Sequence, residues 1–116
     1  IGTGDWSSDV CSSDLNAYAQ RGRIQVDLHQ YQAAMADFDQ ALSLQPDAAQ
    51  TFNERSVLRF RLKDVEGALA DVNRALELQP QFPDAYINRS LIRFDRGDRS
   101  GALSDIVLVM KLNQTA

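Results

Sequence analysis

Arginine and aspartate recur in this chain at a fixed spacing, and they are the most regular of its reactive side chains. Three arginines stand 34 residues apart, and an aspartate follows sixteen residues after each of them. The arginines are Arg21, Arg55 and Arg89, and the aspartates are Asp37, Asp71 and Asp105. A repeated pairing of guanidinium with carboxylate predicts partly buried ion pairs that set register more than they add stability.

Other chemistry has little support in the sequence. His29 is the only histidine, and it falls in a predicted turn with no second histidine or cysteine in the repeats to complete a metal site. No glycine-rich phosphate loop and no nucleophile beside a base is present there. We therefore expect no enzyme activity, no cofactor and no metal.

The spacing of 34 extends well beyond the charged residues. Small residues recur at two further columns, where paired helices must approach closely and bulk would push them apart. The first column holds Gly22, Ser56 and Ser90, and the second holds Ala34, Ala68 and Ala102. Aromatic residues precede the first column, and Pro46 and Pro80 close the first two units. A period of this length predicts stacked helical hairpins, because one hairpin cannot bury its apolar face alone.

The order aromatic, Gly or Ser, Ala, apolar, Ala, Pro resembles the tetratricopeptide repeat. The resemblance covers residues 15–114 and implies an all-α fold, a right-handed solenoid of three stacked antiparallel helical hairpins. The predicted repeats are 15–48, 49–82 and 83–114, with a tail at 115–116. The third repeat is degenerate, since Gln114 replaces the closing proline.

Residues 1–14 lie outside the repeats and need a separate explanation. The segment DWSSDVCSSDL, residues 5–15, resembles a translated sequencing adapter, so we interpret 1–14 as a non-native leader with disordered or irregular structure. Trp6 and Cys11 then carry no functional weight, and cysteine usage does not report on the redox compartment. Without Asp5, Asp9 and Asp14, the 16 acidic residues become 13 against 12 basic ones, so the net charge moves from −4 to −1.

The resemblance implies that the first helix of each repeat lines a concave groove. The residues expected there fall at three- and four-residue steps along one helical face or border it. They are Arg23, Asn53, Glu54, Val57, Phe60, Arg61, Ile87, Asn88, Leu91 and Phe94. Asn53 and Asn88 are expected to hydrogen-bond a peptide backbone. The competing interpretation is that Ile87, Leu91 and Phe94 pack against a following repeat.

Members of this family that grip the C-terminal carboxylate of a chaperone use lysine and asparagine on the first helix, asparagine on the third, and lysine and arginine on the fifth, in that order. The corresponding residues here are Ala19, Arg23, Glu54, Asp84 and Asn88, and none matches. A free carboxylate would meet Glu54 and Asp84, so we expect no chaperone binding of this type.

The last helix is apolar nearly all round and needs cover on more than one side. The columns of Asp39/Asn73 and Gln40/Arg74 are expected to be solvated, yet the third repeat holds Val107 and Leu108 there. With Met110, these residues form a candidate end-face interface, covered by further repeats, by another subunit or by a partner.

The function implied by the fold is a protein–protein interaction scaffold or adaptor that binds an unidentified peptide or protein. An alternative is the interaction or regulatory segment of a larger enzyme or regulator. A minor alternative is nucleic-acid binding through the arginine columns, but a net charge near −1 supplies no dominant basic field, so no nucleic acid is expected. No membrane span is expected either. Since a signal peptide could have been lost with the natural start, the compartment stays open, with the cytoplasm as default.

Overall fold

Six helices make up the part of the chain that the structure describes, and no strand occurs in it. The structure is a computed structural model that describes the backbone of residues 6–114 and the side chains of residues 16–114. The helices are α1 (Trp6–Asp27), α2 (Tyr31–Leu44), α3 (Ala49–Arg61), α4 (Val65–Leu78), α5 (Pro83–Asp95) and α6 (Arg99–Gln114). They pair as hairpins α1–α2, α3–α4 and α5–α6. The hairpins stack in sequence, since α2 contacts α3 and α4 contacts α5, which confirms the expected all-α solenoid.

The turn inside each hairpin has the same backbone conformation. One residue per turn adopts positive φ, namely His29 (61°), Lys63 (69°) and Gly97 (89°). The amide of the residue that follows each of these donates to a carbonyl five residues back at 2.8 Å, which closes the preceding helix. The lone histidine is thus a turn residue, and its Nδ1 lies 2.7 Å from the Tyr31 hydroxyl.

Two aspartates after these turns start the second helices of their hairpins. The Gly67 amide donates to Asp64 Oδ1 at 3.0 Å, and the Gly101 amide donates to Asp98 Oδ1 at 2.9 Å. Each bond satisfies one of the backbone donors left free at a helix start. In the first hairpin Gln30 occupies this position and makes no such side-chain bond.

The apolar core forms between successive hairpins. Phe38 of α2 and Leu58 of α3 are fully buried in one cluster with Val26 and Ala34. A second cluster joins Val72 of α4 to Ile92 of α5. Each hairpin therefore depends on the next one to cover its second helix, as expected for a repeat architecture.

Backbone structure in the leader differs from the sequence-based expectation. Irregular structure was expected for residues 1–14, but α1 begins at Trp6 and continues without a break into the first repeat. No proline or glycine lies between Asp5 and Asn16, and extending a helix that is already nucleated costs little. Residues 1–5 lie outside the described part, and the non-native origin of the leader stays a prediction.

None of the helices within residues 6–114 is long and apolar enough to cross a membrane.

Candidate peptide groove and exposed end face

Each repeated arginine lies against the aspartate sixteen residues later, on the partner helix of its own hairpin. The bonds from Nε to Oδ2 measure 2.6 Å for Arg21–Asp37, 2.9 Å for Arg55–Asp71 and 3.1 Å for Arg89–Asp105. Nη2 donates to the other oxygen in every case, so each pair is bidentate. The guanidinium carbon also lies 5.4–5.7 Å from the centre of an aromatic ring three residues earlier.

The same arginines also join one hairpin to the next. Nη1 of Arg55 donates to Asp39 Oδ1 at 2.8 Å, and Nη1 of Arg89 donates to Asn73 Oδ1 at 2.9 Å. The side chain of Asp39 is 55% exposed, in keeping with the solvated column expected from the sequence. The bonds to the arginine of the following repeat were not predicted, because they cross from one hairpin to the next.

A concave cavity of about 380 Å³ opens where α1, α3 and the start of α5 face one another. Five of the residues expected in the groove line it: Arg23, Asn53, Glu54, Val57 and Arg61. Val26 and Asp27, which belong to or border the predicted face of α1, line it too, as does Asp84. Phe38, Gln50 and Phe82 also line it and were not predicted from the sequence. Phe82 precedes α5 in the loop, where helical periodicity gives no signal.

Arg23 and Glu54 form an ion pair across the mouth of this cavity. Nε of Arg23 lies 2.8 Å from Glu54 Oε2, which ties α1 to α3. The same pair lines a second cavity of about 370 Å³, bounded by α1 and the loop between α2 and α3. Burial raises the pKa of Glu54 to about 7, although Arg23 and a hydrogen bond with Gln50 act in the opposite direction.

The other five residues expected in the groove lie elsewhere or have another role. Asn88 Nδ2 donates to Asn53 Oδ1 at 2.8 Å, so the two amides that were expected to bind a peptide bind each other across α3 and α5. Phe60 packs against the core cluster of the second and third hairpins. Ile87, Leu91 and Phe94 are exposed and do not line the concave cavity.

The end of the stack exposes many large apolar side chains. Val107, Leu108 and Met110 of α6 are exposed, as the sequence predicts. Leu103 and Ile106 of the same helix are exposed as well. A shallow depression of about 430 Å³ runs along Leu103, Val107 and Leu108.

Residues 15–48 match the sequence model of the tetratricopeptide repeat. These residues are the first of the three hairpins, and the other two repeat its columns and its geometry. The first hairpin is therefore a tetratricopeptide repeat by sequence, and the chain as a whole has the stacked-hairpin fold. A comparison of its sequence with curated proteins finds no significant match.

Solved structures share the fold, among them two tetratricopeptide repeat domains. The first such domain of Spaghetti (RPAP3), bound to the HSP90 peptide SRMEEVD, is 23% identical with a TM-score of 0.83, over 90% of this chain and 83% of that one. The second domain of Spaghetti, bound to the same peptide, is 18% identical with a TM-score of 0.80, over 90% of this chain and 98% of that one. MamA is 18% identical with a TM-score of 0.81, over 87% of this chain and 59% of that chain.

Tetratricopeptide repeats are generally non-catalytic interaction modules. Within residues 16–114, no group of three histidine, cysteine or acidic side chains could hold a metal ion. The repeated arginines and aspartates are paired with one another.

The pKa of Glu54 predicts a pH dependence of stability. Because the folded protein holds a proton on Glu54 up to a pH of about 7 and the unfolded chain releases it near 4.5, the folded state binds more protons between these values. Stability should therefore fall as pH rises from about 4.5 to 7, and this contribution should stay constant above that range. Thermal unfolding of Glu54→Gln should lack this slope, and its Tm should exceed that of the parent above pH 7.

Arg23→Gln provides the matched variant for this prediction. Because Arg23 lowers the pKa of Glu54, its removal should move the slope to higher pH. A parent protein with the same pH profile as Glu54→Gln would contradict the assignment.

Proposed function

We propose that this protein is a non-catalytic interaction scaffold that holds a peptide segment of a partner protein in its concave cavity. The observation that carries the proposal is the cavity itself, in which apolar side chains and a few charged groups from successive hairpins converge. Val26, Val57 and Phe82 supply the apolar surface. This role suits either an independent adaptor or the interaction segment of a larger enzyme or regulator.

The charges around the cavity favour a peptide that combines an apolar anchor with basic residues. Above a pH of about 7, where Glu54 is ionised, three carboxylates line it, Asp27, Glu54 and Asp84, against the two arginines Arg23 and Arg61. Arg23 is already paired with Glu54 at 2.8 Å, so its charge is partly neutralised before any ligand arrives. An acidic peptide would meet a surplus of carboxylates, which suppresses binding by like-charge repulsion.

Nucleic acid is a poorer ligand for this surface. The arginine columns that could contact phosphates are bonded to Asp37, Asp71 and Asp105. Arg59 and Arg93 also lie within 3.5 Å and 3.1 Å of the same aspartates. Phosphate binding would have to break these ion pairs, so salt-dependent binding to DNA or RNA should be absent.

The peptide SRMEEVD, bound by the two Spaghetti domains, provides a direct test. Fluorescence anisotropy should show no binding of this peptide and measurable binding of its charge-reversed relative SRMKKVK. Each favourable rim contact contributes about 0.2–1 kcal/mol, so Glu54→Gln with Asp84→Asn should weaken binding of SRMKKVK by about five- to tenfold.

Glu66→Gln is the matched control, because Glu66 is an exposed acid of α4 that does not line the cavity. It should leave the affinity for SRMKKVK unchanged. Equal affinities for SRMEEVD and SRMKKVK would contradict the charge argument. Binding of SRMKKVK that survives both Val57→Asp and the double variant would contradict the cavity as the binding site.

A further inference from the structure

Glu54 lies on the boundary between the two cavities that α1 and α3 share. It lines both of them, and so does Arg23, whose Nε lies 2.8 Å from Glu54 Oε2. The two side chains differ in their access to water, since 14% of the Glu54 side chain is exposed against 50% of that of Arg23. The carboxylate is therefore held between stacked hairpins, whereas the guanidinium reaches it from the solvent side.

The other charged groups that line the two cavities come from α1, from the loop before α3, from α3 itself and from the start of α5. In that order they are Asp27, Asp47, Arg61 and Asp84. The remaining neighbours, α2 and α4, add only Phe38 and Leu78, which carry no charge. The charge of the concave cavity is therefore set by a few side chains, of which Glu54 is the most deeply placed.

Glu54 gains and loses its proton near neutral pH. Burial raises the pKa of Glu54 to about 7, although Arg23 and Gln50 oppose this rise. The side chains of Asp27 and Asp84, in contrast, are exposed. A proton on Glu54 removes a negative charge from the concave cavity and leaves Arg23 without its counter-charge. The cavity then holds two carboxylates against two guanidinium groups, instead of three against two.

We propose that Glu54 makes the concave cavity a proton-regulated site, which binds a basic peptide more tightly when Glu54 is ionised than when it carries a proton. This regulation rests on the proposed function, because the peptide and the proton act on the same cavity. The ionised carboxylate attracts a lysine or arginine side chain of the peptide, and its pair with Arg23 keeps that guanidinium from repelling the ligand. Protonation removes the attraction and exposes the ligand to the charge of Arg23.

Peptide binding must in turn favour loss of the proton, because the two equilibria are linked. Near a pH of about 7, where Glu54 of the free protein is partly protonated, binding of a basic peptide releases a fraction of a proton to the buffer. This release distinguishes the titration of Glu54 from a pH effect on the peptide, since lysine and arginine side chains stay charged in this range.

Calorimetric titration of the full chain with N-acetylated SRMKKVK tests the regulation. The affinity should rise about fivefold between about pH 5.5 and about pH 8.5, which is the size of one exposed charge contact. Near neutral pH, the measured heat should depend on the ionisation enthalpy of the buffer, because a proton is released. Glu54→Gln should bind at every pH as weakly as the parent does at low pH, and its binding heat should not depend on the buffer.

Asp84→Asn is the matched control, because it also converts a carboxylate of the concave cavity into an amide but leaves Glu54 in place. It should weaken binding at every pH and keep the rise. His29→Gln should keep the rise too, since the only histidine of the chain lies in a turn and does not line the cavity.

The possible failures of the two proposals give different results. Binding of constant affinity across this pH range would overturn the regulation and leave the binding function standing, and so would a rise that Glu54→Gln retains or that His29→Gln loses. No binding of the peptide at any pH would overturn both the regulation and the proposed function.

Discussion

Replacement of Asp71 by alanine is expected to lower the free energy of unfolding by about 3 kcal/mol, because it removes the principal counter-charge of two largely buried arginines. Asp71 is buried and accepts two bonds from Arg55, each 2.9 Å long. Arg59 Nη1 lies 3.5 Å from the same carboxylate. The change should be visible as a lower midpoint in urea unfolding followed by circular dichroism.

Asp37→Ala is the matched control, since it removes the same residue type from the same column of the first hairpin. The side chain of its partner Arg21 is 62% exposed, whereas that of Arg55 is 17% exposed. Water can solvate Arg21 after the substitution, so the free energy of unfolding should fall clearly less than for Asp71→Ala. Equal losses would show that burial of the guanidinium does not decide the effect. Asp71→Asn keeps the shape of the side chain, so its free energy of unfolding should lie between those of the parent and of Asp71→Ala.

The period of 34 made the hairpins and their ion pairs predictable from sequence. Arginine and aspartate are separated by sixteen residues in every repeat, and a single helical hairpin brings this separation to bonding distance. His29 lies in a turn, as predicted, and it adopts positive φ like Lys63 and Gly97 in the other two hairpins. Local spacing was sufficient for all of these features, because each lies within one hairpin.

Contacts between hairpins were harder to predict, and the candidate sites depend on them. The bond of Asn88 to Asn53 spans 35 residues, so two amides that face the groove in separate helices become partners in the stack. The sequence pattern does not distinguish Glu54 from an exposed acidic residue on a helix surface. Burial between stacked hairpins raises its pKa to about 7. The concave cavity also takes Phe82 from a loop that has no helical period. These features follow from the rotation of one hairpin on the next, which the residue pattern does not specify.

The small residue at the close contact between paired helices is glycine in the first hairpin and serine in the other two. Its identity changes together with that of the residue sixteen positions later on the partner helix. Gly22 is followed by Phe38, whereas Ser56 is followed by Val72 and Ser90 by Ile106. A Cβ atom on Gly22 would lie 2.7 Å from Phe38 Cε1 and 3.0 Å from Cδ1, so the ring occupies the space of the missing side chain. Phe38 is fully buried and has little room to move. The aromatic ring therefore requires glycine, while the smaller residues allow serine.

Gly22→Ser should consequently destabilise the protein by about 2 kcal/mol through overpacking against Phe38. Helix propensity alone predicts that the substitution stabilises the protein, since serine is favoured over glycine by about 0.5 kcal/mol in a helix interior. The sign of the change in urea midpoint thus decides which effect dominates.

The double variant Gly22→Ser with Phe38→Val recreates the pair found in the second hairpin. Phe38→Val alone should destabilise by leaving a cavity, and the added serine should then cost little or restore part of the loss. The double-mutant cycle should give a favourable coupling of about 1–2 kcal/mol between the two changes. Additive effects would show that the ring does not dictate the glycine, because a clash that is relieved by removing the ring must appear as coupling.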